Sequence, residues 1–125
     1  MGKTKVHMFY TAQGRSRLFR DIALDMLDYW DIKYEEGVGY LTAREIEILE
    51  KKGFVVWDRK LQTFKPAGSG RVRATVRGGN SIILLFADEG EQVIPVKILP
   101  KNIDERRLVE EKIIPVLRML ERGLK

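Results

Sequence analysis

Residues 71–98 read RVRATVRGGNSIILLFADEGEQVIPVKI, and the alternation in this stretch decides the fold. Arg71 to Arg77 alternates basic or hydroxylated residues with Val72, Ala74 and Val76, as a half-buried strand does. Gly78-Gly79 is a two-residue turn able to take positive φ, Ser81 to Phe86 is a second strand, Asp88-Glu89-Gly90 turns again, and Gln92 to Ile98 is a third. The pattern predicts an antiparallel β-meander over 71–98. Pro95 has no N–H for a ladder, so the third strand is expected at a sheet edge.

With Gly78 and Gly79 at the centre of the turn, Arg77 faces Asn80, Thr75 faces Ile82, Arg73 faces Leu84 and Arg71 faces Phe86, all on one side of the sheet. Val72, Ala74 and Val76 then meet Leu85, Ile83 and Ser81 on a core side. Side chains two residues apart on a strand project in one direction about 6.7 Å apart, a ladder suited to successive phosphates, and Phe86 adds a ring for stacking. The run Ser81 to Phe86 also has a plainer meaning. It is apolar almost throughout, which suits coverage on both faces by a helix or a second subunit, with the arginines at the rim.

Outward from this core, Asn102 with Glu105 marks a helix start. Val109, Ile113, Val116, Leu117 and Leu120 form the buried stripe of a helix over 103–122 that Pro115 should kink or split. Upstream, Thr42 with Glu45 is a capping box, Leu41 and Ile46 stand at the positions of a hydrophobic staple, and Gly53 suits a left-handed C-terminal cap, so a helix is predicted over 43–52. Phe54 to Asp58 and Leu61 to Lys65 read as a hairpin turning at Arg59-Lys60, and Ile32 to Glu36 as a short exposed strand.

At the N-terminal end, Lys5 to Thr11 alternates like a strand and Ser16 can cap a helix from Arg17 to Ile32. Leu18, Phe19, Ile22, Ala23, Met26, Leu27 and Trp30 fall on one stripe of that helix, and Asp21, Asp25 and Asp28 on the opposite, solvated face. The whole is a single α+β domain over 1–125, with a mainly antiparallel sheet, an N-terminal βα unit, a middle helix and a C-terminal helix.

Chemistry is constrained by what the chain contains. There is no cysteine and one histidine, so disulfides, thiolate sites and multi-histidine metal sites are excluded, and no metal or other cofactor is expected. The start, MGKTKVHMFYT, lacks the apolar core of a signal peptide, and no apolar run reaches the roughly 18 residues that span a bilayer, so a cytoplasmic protein without membrane contact is expected.

The net charge of +5 is unevenly spread. Residues 1–20 carry five bases and no acid, residues 21–58 ten acids against four bases, and residues 59–87 six bases with no carboxylate in 29 positions. Segregation of this kind raises the local potential well above what net charge alone implies, and an anionic partner is the natural candidate.

Two candidate sites follow. Arg71, Arg73, Thr75 and Arg77, helped by Lys60, Lys65, Arg15 and Arg17, form a candidate surface for nucleic acid, DNA or RNA. Gln13-Gly14-Arg15-Ser16, between strand and helix, is a candidate anion-binding loop.

Other apparent motifs fail on their own terms. Gly2-Lys3-Thr4 lacks the upstream glycine and strand of a phosphate loop, and Gly37 with Gly39 is half a dinucleotide fingerprint. Glu110 and Lys112 have a nuclease-like gap but lie on a predicted helix, Asp88, Glu89 and Glu91 crowd a turn, and His7 has no sequence-identifiable partner. Lys52-Gly53-Phe54 resembles the opening of an RNA-recognition strand, but the element order is wrong for that fold. Helix 43–52 with hairpin 54–65 resembles a winged helix, yet an acidic helix suits a DNA groove poorly.

The expectation is therefore a non-enzymatic nucleic-acid-binding protein. The alternatives are a homodimeric structural or protein-interaction module, and a phosphate-handling enzyme using the 13–17 loop. No catalytic residue is assigned.

Overall fold

Ile82–Ala87 is apolar at every position, and it occupies a place in the sheet where both faces are covered. The computed structural model describes residues 5–9, 15–53, 55–66, 75–76, 81–87 and 92–123. Its strands are β1 (Lys5–Phe9), β2 (Lys33–Glu36), β3 (Val55–Asp58), β4 (Thr63–Pro66), β5 (Thr75–Val76), β6 (Ile82–Ala87) and β7 (Val93–Leu99). The helices are α1 (Arg15–Tyr29), α2 (Ala43–Lys51), α3 (Ile103–Leu108) and α4 (Ile114–Gly123). The order across the sheet is β3-β4-β7-β6-β1-β5, with β2 also on β7. All described pairs are antiparallel except β1 with β6. The fold is α+β with a mainly antiparallel sheet.

The predicted meander holds for its second half, since β6 and β7 pair from Ile82↔Ile98 to Ala87↔Val93. Its first half is corrected. β5 pairs with β1, Val6↔Val76 and His7↔Thr75, and β1 lies parallel to β6 between the two. Thr75 therefore does not face Ile82. Backbone groups pair equally well with any strand, so alternation identifies a strand without naming its neighbour. The turn at Gly78-Gly79 and the pairings proposed for Arg71, Arg73 and Arg77 lie outside the described residues.

Pro95 is corrected as well, because β7 is an inner strand. On the side away from β6 it is joined by β4 at Val93 and by β2 from Val96 to Leu99. Pro95 falls in the interval between them, and its carbonyl accepts from the Gly37 N–H at 2.9 Å. The N and O of one strand residue point the same way, so the missing N–H faces this interval and costs β6 no bond.

Each face of the sheet carries a core. Ile82, Leu84, Phe86, Val96 and Ile98 pack under Phe19, Ala23 and Leu27 of α1 and Val109, Ile113 and Leu117 of the C-terminal helix. Ile83, Leu85 and Val93 meet Leu41, Leu49, Val55 and Phe64 on the side of α2 and the β3–β4 hairpin. The apolar run that suggested a partner subunit is thus buried within one chain. Asp21, Asp25 and Asp28 lie exposed on the opposite side of α1, as predicted.

The local signals act through specific bonds. Thr42 Oγ1 accepts from Glu45 N at 3.1 Å and Glu45 Oε1 from Thr42 N at 2.8 Å, completing the capping box. Gly53 ends α2 at φ 77°, as predicted. Asn102 Oδ1 accepts from Glu105 N at 2.9 Å and starts α3. Between α3 and α4 the helix widens into a π turn over Val109–Ile113, in which Ile114 N donates to Val109 O. Pro115 has no N–H for the carbonyl four residues back and clashes with it in a regular helix, so the turn before it opens.

α1 begins at Arg15, which places Ser16 in its first turn rather than at the cap. It ends in a Schellman motif, with Ile32 N donating to Leu27 O at 2.9 Å and Asp31 N to Asp28 O at 3.1 Å, and Asp31 takes φ 55°.

Candidate functional site

Leu84 and Phe86, expected on the nucleic-acid platform, are interior. His7 is the register partner of both Thr75 on β5 and Leu84 on β6, so position 75 shares a row with two buried residues. Arg118 Nη2 of α4 lies 3.1 Å from His7 Nδ1. A guanidinium only donates, so in this contact His7 Nδ1 is the acceptor. This contact pins α4 to β1, and Leu84 and Phe86 beside it have no exposed surface.

Thr75 itself lies on β5, at one border of the described sheet. Arg15, Ser16 and Arg17 form the first turn of α1, with only their backbone described. Arg71, Arg73, Arg77, Gln13 and Gly14 fall outside the described residues.

Lys60 and Lys65 stand on the β3–β4 hairpin at the opposite border, with β4 four and β3 five strand spacings from β5, or about 19–24 Å along the sheet. Thr75 and these two lysines therefore do not converge.

The hairpin is the part of the candidate site with defined geometry. Its turn spans Arg59 to Gln62, longer than the predicted reversal at Arg59-Lys60, because the last pair is Asp58↔Thr63. Asp58 Oδ1 accepts from Lys60 N at 2.9 Å and Leu61 N at 3.1 Å, while Asp58 Oδ2 lies 3.2 Å from Lys65 Nζ. The Leu61 amide and the Lys65 ammonium, with the Lys60 amide, hold the Asp58 carboxyl below its ordinary range. Gln62 adopts φ 54° and its side-chain Nε2 donates to Arg59 O at 2.8 Å. The edge strand is tied as well, since Trp57 N donates to Glu50 Oε2 of α2 at 3.4 Å. Arg59, Lys60 and Leu61 are exposed on this ordered turn.

A second polar group lies on the other side of the sheet from His7. Glu45 Oε1, already bonded to Thr42 N, is 2.9 Å from Lys97 Nζ, and Ser81 Oγ donates to Glu45 Oε2 at 3.5 Å. Burial pushes the Glu45 carboxyl up, but the Thr42 amide and the Lys97 ammonium outweigh it and leave the group below its ordinary value. Lys97 was not singled out in the sequence, where the only sign was one base inside an otherwise apolar strand. Its ammonium is committed to Glu45 and to Tyr40 O at 3.4 Å, which makes it a tie between β7 and α2.

Glu110, of the nuclease-like pair, is bound to Arg106 Nε at 3.1 Å on the helix. Among the described residues no three His, Asp or Glu side chains are grouped to hold a metal ion, and no helix is long and apolar enough to cross a membrane. In comparisons with protein-family models, curated proteins and solved structures, nothing matches this chain.

Proposed function

We propose that the chain is a non-enzymatic nucleic-acid-binding domain that grips the phosphate backbone, with the β3–β4 turn as its best-formed contact. The state of Asp58 carries this reading. Its carboxylate is directed to the turn amides and to Lys65, so Arg59 and Lys60 are exposed with no acidic partner among the described residues. A turn that is already ordered loses little further entropy on binding. Arg15, Arg17, Arg71, Arg73, Thr75 and Arg77 enter the proposal as further contacts, supported by the carboxylate-free stretch over 59–87.

The test is fluorescence anisotropy with labelled mixed-sequence DNA and RNA, starting at about 50 mM salt and rising. Binding should weaken steadily with salt. The double variant Arg59→Ser/Lys60→Ser should weaken all sequences alike and reduce the salt slope by about 1.4 to 1.8. No binding at the lowest salt, or an affinity indifferent to salt, overturns the proposal.

A further inference from the structure

The hairpin also bears on which form of nucleic acid is bound, an inference that rests on the reading just proposed. Proteins that hold single strands without sequence preference add aromatic stacking to charge. Among the described residues the hairpin has two rings, and both are engaged. Trp57 and Phe64 pack edge to face with centroids 5.0 Å apart, Phe64 with no exposed surface and Trp57 half-buried against the second core. The apolar side chains that the hairpin does expose are aliphatic, Val56 at 51% and Leu61 at 60%. Leu61 follows Lys60 directly, where a stacking ring would have to stand.

Helix α2 supplies no stacking ring beside the hairpin either. It has no aromatic side chain, and of its exposed carboxylates Glu47 is paired with Lys51 at 3.4 Å while Glu50 is engaged with the Trp57 amide. What remains is a pair of cations on a stiff turn. Charge alone favours the partner with the denser phosphate array, and a duplex releases about 0.9 counterions per contact against about 0.7 for a single strand. We infer that the Arg59-Lys60-Leu61 turn binds double-stranded nucleic acid in preference to single strands, and reads backbone rather than bases.

Anisotropy with a labelled duplex of about 20 base pairs and with one of its strands, of mixed sequence and at about 100 mM salt, separates the cases. The duplex should bind at least about tenfold more tightly, with little change between two unrelated sequences. In Arg59→Ser/Lys60→Ser, folded by circular dichroism, that preference should shrink. Leu61→Trp places a ring beside the cations and should raise single-strand affinity about tenfold, narrowing the preference from the other side. Equal or tighter binding of the single strand overturns the inference and leaves the nucleic-acid reading standing. A duplex preference unchanged in the Arg59/Lys60 variant also overturns it, because the turn is then not its seat. Binding of neither form removes the underlying reading and the inference together.

Discussion

Glu45 and Lys97, 52 residues apart in sequence, meet at 2.9 Å across the junction between α2 and β7, with side chains 9% and 15% exposed. The pair uses a carboxylate that the capping box already holds in place. One local motif thereby anchors a helix to the centre of the sheet.

Removing one partner should cost more than removing both charges. Lys97→Met leaves the Glu45 carboxylate nearly buried without its ammonium, and about 2–3 kcal/mol of stability should be lost in urea titrations. Adding Glu45→Gln in the same chain removes the stranded charge and should recover part of that loss. A double variant with the summed cost of the two singles would show that they do not interact.

The same carboxylate predicts an acid dependence. Its folded pKa lies below the ordinary value of 4.5, so the folded state favours the ionised form. The stability it contributes is complete above that value and is lost as pH falls through the lowered folded pKa. Glu45→Gln should therefore lose stability at neutral pH and show a flatter decline than the parent chain as pH falls below the ordinary value of 4.5. Parallel curves across that window would contradict the assignment.

Two left-handed positions should respond in opposite directions to substitution. Asp31, at φ 55° in the cap of α1, is a β-carbon-bearing residue in a region that suits glycine, and Asp31→Gly should stabilise by about 0.5–1 kcal/mol. Gly53, at φ 77° in the cap of α2, has nothing within 4 Å of an added methyl group, so Gly53→Ala should cost about 1–2 kcal/mol through backbone conformation alone. Thermal unfolding of both variants measures the two signs.

Leu84 tests which face of β6 is covered. It has no exposed surface and packs in the cluster shared by α1 and the C-terminal helix, so Leu84→Asp should unfold the protein or cost about 4 kcal/mol or more. Near-native stability by circular dichroism would mean that the helices do not close over this face.

What the sequence determined by itself is local. Thr42 and Glu45, Gly53, and Asn102 with Glu105 specify helix ends because their bonding groups lie within a few residues of each other, and chain connectivity brings them into contact. The stripe Phe19, Ala23 and Leu27 likewise marked a core face through the helix period alone. The tertiary structure decided the rest. Nothing in Lys5–Phe9 or Thr75–Val76 says that β1 lies between β5 and β6, because every strand offers the same backbone groups to any neighbour. Apolar residues at 82, 84 and 86 required cover without naming it, since burial is non-directional, and α1 with the C-terminal helix supplied it. The contacts His7–Arg118 and Glu45–Lys97 join residues 111 and 52 positions apart, and charge pairing at that range follows only from where the packed helices come to rest on the sheet.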